Sequence, residues 1–101
     1  MGFDVEVTIG DSHAALAGHF PGNAIVPAVL ILGEVIKAAG SLEGCPVKVL
    51  SLPSAKFLCP LRPEEPLNIH LEQIRDGELN FVCRSTGRVI ATGEMRYCPL
   101  I

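Results

Sequence analysis

The sequence lacks the features that mark several large classes of protein. It has no excess of positive charge, since eight Lys and Arg residues stand against eleven Asp and Glu residues for a net charge of -3. Nucleic-acid-binding proteins usually carry a basic surface, so no nucleic-acid partner is predicted. The longest strongly apolar stretch, residues 24–32, contains Pro27 and is far shorter than the roughly 20 residues of a membrane span. No membrane-spanning helix is predicted either.

Paired cysteines are also absent. The four cysteines are widely separated, at Cys45, Cys59, Cys83 and Cys98, and no C-x-x-C pair suggests a zinc or redox site. We expect reduced, mostly buried thiols in a cytoplasmic protein and no metal site. Residues 1–6 lack the basic start and apolar run of a signal peptide, which again favours the cytoplasm.

The size and composition predict one domain that associates with another subunit. The 101 residues, 49% of them hydrophobic, suit a single domain over residues 1–101. A chain this small buries only about two thirds of its unfolded surface, and a mean hydropathy of +0.40 is high for a monomer of that size. Some apolar surface should therefore meet another subunit, and we predict a dimer.

Hydrophobic periodicity predicts an α+β fold. Residues 3–9 alternate apolar and polar side chains, as a half-buried strand does. Residues 28–39 are apolar at almost every position, with Pro27 in the first turn and Gly40-Ser41 as the stop, which predicts a long central helix buried on nearly all sides. Further strands are predicted over residues 47–52, 55–61, 67–75, 79–85 and 88–95, the last three as an antiparallel meander. The expected domain is an antiparallel sheet of about five to six strands packed on the helix.

One stretch carries the most chemical information. His19-Phe20-Pro21-Gly22 forms a turn signal a few residues before the helix. A helix start offers unpaired backbone N–H groups and the positive end of the dipole, while His titrates near neutral pH. Together they can remove a proton next to a thioester carbonyl and stabilise the oxyanion. On spacing alone, a His in such a turn is more often a structural residue than a base.

The segment 19–34 resembles the active-site segment of the hot-dog-fold 3-hydroxyacyl-(acyl-carrier-protein) dehydratases, in which H-F-P-G-x-P-x-x-P-G-x-L precedes the long central helix. The matching positions fall in register without a gap, at His19, Phe20, Pro21, Gly22, Ile25, Pro27, Val29 and Leu30. The order of elements agrees over nearly the whole chain. The helix segment Leu32-Gly33-Glu34-Val35 is especially similar to the short dehydratase-like proteins of aryl-polyene-type biosynthetic clusters.

The resemblance implies a hot-dog fold, in which the sheet wraps the helix, and a function in dehydrating 3-hydroxyacyl thioesters. It implies that His19 removes the proton at C2 and that a helix carboxylate protonates the leaving hydroxyl. No cofactor is implied, because the substrate is held on the phosphopantetheine of an acyl carrier protein or on coenzyme A. The implied site further comprises the backbone N–H groups of Ala28 and Gly22, which hold the thioester oxygen. The implied substrate tunnel is lined by Phe20, Pro27, Leu30 and Ile31.

The helix carboxylate is where the sequence departs from the family pattern. The family's acid lies fourteen residues after the His, a position occupied here by Gly33. Glu34 is the nearest carboxylate, but one residue along a helix turns a side chain by about 100°, and Glu34 could instead neutralise Lys37 or Lys48. Three sources of the acid stay open: a shifted Glu34, the loop residues His13 or Asp11, or a carboxylate from another subunit.

Three functions follow from these alternatives. The first is dehydration of a 3-hydroxyacyl thioester, weakened by the missing acid, which is worth roughly 10²- to 10⁴-fold in rate. The second is a non-catalytic hot-dog subunit that binds acyl chains or stabilises an active partner, in a homodimer or heterodimer. The third is thioester hydrolysis.

Residues outside this segment give two further expectations. His70 is expected at an exposed cross-strand position. Several cations could form a basic rim for an acidic carrier protein, among them Lys56, Arg62, Arg75, Arg84, Arg88 and Arg96.

Overall fold

The computed structural model describes residues 2–10 and 25–100. Within these residues, one helix and five strands form the α+β domain that the periodicity predicts. In chain order they are β1 (Gly2–Thr8), α1 (Ala28–Glu43), β2 (Val47–Phe57), β3 (Pro66–Arg75), β4 (Glu78–Ser85) and β5 (Arg88–Pro99).

The five strands form one antiparallel sheet in the order β1-β3-β4-β5-β2. The predicted meander of β3, β4 and β5 is confirmed. Its two tight turns use left-handed backbone at Gly77 (φ 80°) and at Thr86 and Gly87 (φ 50° and 79°), which glycine adopts at little cost. The strands at the two edges of the sheet are β1 and β2.

The prediction of two separate strands over residues 47–52 and 55–61 is wrong. A single strand, β2, runs through Pro53 to Phe57, and its pairing with β5 shifts register between Val49 and Ser51 and again between Ser51 and Ser54. Proline cannot donate a ladder hydrogen bond, but an edge strand with irregular pairing tolerates it. The strand therefore continues through the proline with irregular pairing.

The predicted end of the helix at Gly40-Ser41 is also wrong. Helix α1 continues to Glu43 and stops at Gly44, which adopts φ 78° and donates its N–H to the Gly40 carbonyl at 2.8 Å. A Cβ on Gly40 would lie 3.3 Å from the Cys45 carbonyl oxygen. Gly40 thus allows the chain leaving the helix to pass close by, which offsets the roughly 1 kcal/mol that glycine costs inside a helix.

The core lies between one face of α1 and the inner face of the sheet. The helix buries Ile31, Val35, Ala38 and Ala39, against buried sheet side chains at Leu67, Ile69, Leu71, Leu79, Phe81, Cys83, Ile90, Ala91, Met95 and Tyr97. The expectation that the helix is buried on nearly all sides is wrong for the single chain. Val29, for example, is 70% exposed.

Polar contacts fix the C-terminal end of the helix to the sheet. Tyr97 donates its hydroxyl to Glu43 Oε2 at 2.6 Å, and Gln73 Nε2 donates to the Tyr97 hydroxyl at 3.3 Å. Burial and the Glu43 carboxylate raise the pKa of Tyr97 above its usual value, so the hydroxyl stays a donor. Helix α1 is therefore tied to both β3 and β5 at this end.

All four cysteines are free thiols. Only Cys83 is buried, and burial raises its pKa to about 12. Cys45, Cys59 and Cys98 are half-buried, so the expectation of mostly buried thiols is wrong for these three.

In the described ranges, α1 is the one helix, and it is not long and apolar enough to cross a membrane.

His70 lies on the outer face of the sheet, directly opposite Asp4 in the β1–β3 pairing. Its Nδ1 is 3.0 Å from Asp4 Oδ1 and its Nε2 is 3.1 Å from Glu72 Oε1. The predicted cross-strand position is confirmed, although the side chain is only 30% exposed. The hydrogen bonds to Asp4 and then to Glu72 raise the pKa of His70.

Two glycines of the helix region should respond oppositely to replacement. A Cβ at Gly33 or at Gly44 would meet no atom within 4 Å, but only Gly44 has a positive φ, 78°. Gly33→Ala should raise the free energy of unfolding by about 1 kcal/mol through helix propensity, and Gly44→Ala should lower it by about 1 kcal/mol or more. Urea denaturation measures both, and a loss of stability in Gly33→Ala would contradict the open space seen beside it.

The proton on His70 should couple stability to pH. Because Asp4 and Glu72 raise its folded-state pKa above the unfolded value of about 6.5, the contribution is complete below about pH 6.5 and is lost as the pH rises through the raised pKa. Denaturant unfolding at about pH 5.5 and about pH 8.5 should show a loss in the wild type that His70→Gln lacks. Asp4→Asn should give a smaller loss, and equal losses in all three proteins would contradict the coupling.

Candidate functional site

An apolar groove of about 270 Å³ lies beside the N-terminus of α1. One wall is the segment that enters the helix and its first turn, and the other is the chain that leaves β2. The lining residues are Ile25, Val26, Ala28 and Ile31 on the first wall and Phe57, Leu58, Cys59, Pro60 and Leu61 on the second. The Val26 N–H donates to the Leu61 carbonyl at 2.8 Å, which joins the two walls.

Among the described residues, no side chain caps the helix start that borders this groove. Pro27 is the N-cap residue, with φ -59° and ψ 144°, and the first turn has no acidic residue. The Leu30 N–H donates to the Pro27 carbonyl at 3.0 Å, whereas Ala28, as the first helical residue, has no earlier helical carbonyl for its N–H. Ala28 is exposed and lines the groove. The positive end of the helix dipole thus lies at the groove, where it can stabilise a carbonyl oxygen that gains negative charge.

The predicted tunnel residues occupy different places around this helix start. Ile31 is buried and lines the groove. Leu30 is half-buried and packs against the core, and Pro27 is half-buried at the N-cap. The remaining predicted residues, His19, Phe20 and Gly22 together with Asp11 and His13, lie outside the described residues.

The two candidate positions for the acid differ in their surroundings. Among the described residues, a side chain at Gly33 would enter open space, since no atom outside its chain neighbours and its own helix backbone lies within 4 Å of its Cβ position. Glu34 Oε2 is 3.2 Å from Lys37 Nζ, which is one of the two pairings that the sequence suggested. Glu34 does not line the groove. The structure thus places the nearest carboxylate in a salt bridge with Lys37 and leaves the family's acid position without a side chain.

Several of the cations proposed for a basic rim are paired with carboxylates. Arg75 and Arg96 both contact Glu78, at 2.8 Å and 3.0 Å, and Arg88 contacts Glu65 at 3.3 Å. Within residues 2–10 and 25–100, no group of three His, Cys, Asp or Glu side chains is arranged to hold a metal ion.

Sequence reasoning missed the second wall of the groove. Residues 57–61 were predicted as part of a strand, but the strand ends at Phe57 and the next residues follow an irregular path. Phe57 and Leu58 are 41% and 57% exposed. The available signal was the apolar run Phe57-Leu58-Cys59 followed by Pro60, a residue that is disfavoured inside a paired strand.

Solved structures with similar folds confirm the predicted hot-dog fold. The dehydratase heterocomplex ApeI:P from Xenorhabdus doucetiae matches with a TM-score of 0.81 and 21% identity, over 96% of this chain and 87% of that one. An acyl-CoA hydrolase from Staphylococcus aureus, in a mutant form complexed with coenzyme A, matches with a TM-score of 0.74 and 13% identity, over 99% of this chain and 65% of that one. These likenesses concern the fold.

Sequence comparison finds dehydratases. The chain is 34% identical over 92 residues to the 3-hydroxyacyl-(acyl-carrier-protein) dehydratase FabZ of Granulibacter bethesdensis, which covers 82% of this chain and 53% of that protein. The chain thus spans about half the length of this relative. A family model described as ApeI-like, ApeI dehydratase, matches residues 2–94. The chain therefore belongs to the ApeI-like dehydratase family.

Proposed function

We propose that this chain takes part in dehydrating a 3-hydroxyacyl thioester carried on the phosphopantetheine of an acyl carrier protein, in a cytoplasmic fatty acid or polyene type of biosynthesis, and that it supplies the base of the site. The observation that carries this proposal is the uncapped start of α1, where Ala28 borders an apolar groove. The segment with His19 directly precedes that helix start in the sequence. A groove of this kind suits an acyl chain, with a few polar groups at the reacting end.

The chemistry follows from these groups. His19 takes the proton from C2, and the electron pair moves toward the thioester carbonyl, whose oxygen is stabilised by the N–H groups of Ala28 and Gly22. The bond between C3 and its hydroxyl oxygen then breaks as a double bond forms between C2 and C3. The hydroxyl takes up a proton and leaves as water, so the products are a trans-2-enoyl thioester and water. His19 cannot easily supply that proton in the same step, because it is removing one from C2.

We assign the second proton to a carboxylate from another subunit. Within the chain, Glu34 is held by Lys37 and lies away from the groove, while the space beside Gly33 is open. The similar fold in a dehydratase heterocomplex supports the idea that two different hot-dog subunits complete one site. A homodimer would bring a second Gly33 to the same place and would leave the acid missing.

The surface for such a subunit is the free edge of β2 and the adjoining face of the helix. Within the described part of the chain, β2 pairs only with β5. Large apolar side chains are exposed there, namely Val29, Leu50, Leu52, Phe57 and Leu58. An unpaired strand edge with exposed apolar residues is a template for pairing with another chain.

The alternative is a subunit that binds acyl chains and has no activity of its own. The observation in its favour is the same glycine, since Gly33 offers no proton donor and, in residues 2–10 and 25–100, no side chain other than those of its chain neighbours comes within 4 Å of its Cβ position. Acyl binding and catalysis must therefore be measured separately. Thioester hydrolysis, the third candidate function, is measured in the same samples through the free thiol that it releases.

The missing acid should be restorable by one substitution. Alone, the wild type should hydrate a trans-2-enoyl thioester about 10²- to 10⁴-fold more slowly than Gly33→Glu, because only the variant carries a proton donor at the acid's position. Gly33→Gln has the same size without the acidic proton and should stay slow, and His19→Ala should abolish the rate in every background. Hydration is followed by the loss of enoyl thioester absorbance.

Glu34 and Lys37 provide the matched control for this experiment. Glu34→Gln should leave the rate unchanged to within about twofold, as should Lys37→Met, which breaks the same salt bridge and keeps the carboxylate. A fully active wild type that loses activity in Glu34→Gln but not in Lys37→Met would show that Glu34 is the acid. The proposed second subunit would then be unnecessary.

Acyl binding can be measured without catalysis through Cys59. Its half-buried thiol lines the groove, so a medium-chain acyl thioester of N-acetylcysteamine should slow its alkylation by iodoacetamide severalfold. Cys45 is also half-buried but follows the other end of the helix, and its alkylation should not change. Protection of Cys59 without hydration in any form would favour the non-catalytic subunit, whereas equal labelling of Cys59 with and without the thioester would remove the groove as an acyl site.

A further inference from the structure

The chain between β2 and β3, residues 58–65, is hydrogen-bonded to two points that are distant in sequence. We refer to it as the 58–65 connection. The Glu64 N–H donates to the Ile9 carbonyl at 2.9 Å, and the Leu61 carbonyl accepts from the Val26 N–H at 2.8 Å. Ile9 and Val26 are 6% and 3% exposed. One short connection thus fixes both the end of β1 and the entry to α1, between which His19 lies in the sequence.

Arg88, the first residue of β5, holds this connection at two places. Its Nη2 is 3.3 Å from both carboxylate oxygens of Glu65, and its Nη1 donates to the Pro60 carbonyl at 3.4 Å. The same Glu65 carboxylate accepts the Arg62 N–H at 2.8 Å. The planar guanidinium can serve several acceptors in a fixed geometry, so a single side chain ties Pro60 and Glu65 to the start of β5.

The neighbouring turn orients Arg88. Thr86 adopts a left-handed backbone with φ 50° and donates its hydroxyl to the Ser85 carbonyl at 2.8 Å. The same hydroxyl accepts from Arg88 Nε at 3.4 Å. Three nitrogens of the guanidinium are therefore engaged.

The backbone of the connection also needs support. Glu64 adopts φ 72°, a conformation that residues other than glycine rarely take and that persists only where the surroundings hold it. The N–H of this same residue bonds to Ile9. Loosening of the connection would therefore act first on the hydrogen bond at the end of β1.

We propose that Arg88, through Glu65, is a positioning residue for the dehydratase site, a role that rests on the function proposed above. It keeps the 58–65 connection in one conformation, so that Ile9 and Val26 stay fixed relative to each other and to the groove wall of residues 58–61. Proton abstraction from C2 depends on alignment between base and substrate. The loss of Arg88 should therefore reduce turnover more than it reduces global stability.

Amide hydrogen exchange tests the structural half of this proposal without any need for activity. In Arg88→Ala, the Val26 and Glu64 amides should exchange about threefold to tenfold faster, while amides in the β3–β4 ladder stay unchanged. The matched control is Arg96→Ala, because Arg96 lies on the same strand in a similar ion pair, 3.0 Å from Glu78. Glu65→Gln should act like Arg88→Ala, and Arg88→Lys should restore part of the protection through its remaining charge.

The rate of enoyl thioester hydration tests the functional half of this proposal. The Arg88 variants are made in the wild type or in Gly33→Glu, whichever is more active. Arg88→Ala should lower kcat by about tenfold to hundredfold with a smaller change in KM, Arg88→Lys should recover part of the loss, and Arg96→Ala should match its parent. Unchanged exchange at Val26 and Glu64, or equal acceleration in Arg96→Ala, would overturn the proposal. Faster exchange with an unchanged kcat would overturn the positioning role and leave the dehydratase function intact. If no form hydrates the thioester, the dehydratase function and the positioning role that rests on it are both overturned, and exchange reports only whether Arg88 holds the two hydrogen bonds.

Discussion

The structure depends on burying one apolar stripe of α1 against the inner face of the sheet. Ile31, Val35, Ala38 and Ala39 form that stripe, and their packing sets both the tilt and the direction of the helix. At roughly 1.5–3 kcal/mol for each large aliphatic side chain buried, this contact outweighs the glycines at positions 33 and 40, which cost about 1 kcal/mol each in a helix. The placement of Ala28 at the groove and of Glu43 beneath Tyr97 follows from that single packing arrangement.

The two ends of the helix differ in the polar groups that contact them. At the C-terminal end, Tyr97 and Gln73 bind the Glu43 carboxylate, which would otherwise face the negative end of the dipole unfavourably. At the N-terminal end, the described residues provide no capping side chain and no acidic residue in the first turn. Within the described part of the chain, the polar contacts that stabilise the helix ends are thus concentrated away from the groove. Such an arrangement sacrifices some helix stability at the end where chemistry is proposed.

Much of the fold could be predicted because its signals are local. The meander is indicated by alternating runs that are separated by the short turn signals Asp76-Gly77 and Ser85-Thr86-Gly87, and the helix by a nearly continuous apolar run after Pro27. The wrong predictions of helix and strand ends lie where tertiary packing determines the local structure. Gly40 lies within the helix where the chain at Cys45 passes close beside it, and Pro53 stays within β2 because an edge strand with irregular pairing tolerates proline.

For the candidate site, too, the sequence indicates only the part that is local in the chain. The motif around His19 and the helix start at Ala28 are adjacent in sequence, so a resemblance over one short segment was sufficient to propose them. The second wall of the groove and the contact between Arg88 and Glu65 join residues that are far apart in sequence. No periodicity or spacing encodes such contacts, since they arise only when the sheet brings β5 beside the 58–65 connection.

The irregular edge of β2 has a consequence for how the protein is made. Leu50 and Leu52 are exposed there, whereas Pro53 lacks a backbone donor and two register shifts interrupt the regular pairing of the strand. A regular strand from an unrelated chain does not match such an irregular edge along its whole length, which limits indiscriminate aggregation, but a surface complementary to this edge can cover it. A copy made in excess of the proposed second subunit would still expose Leu50 and Leu52, so balanced synthesis of the two proposed subunits would protect the solubility of this chain.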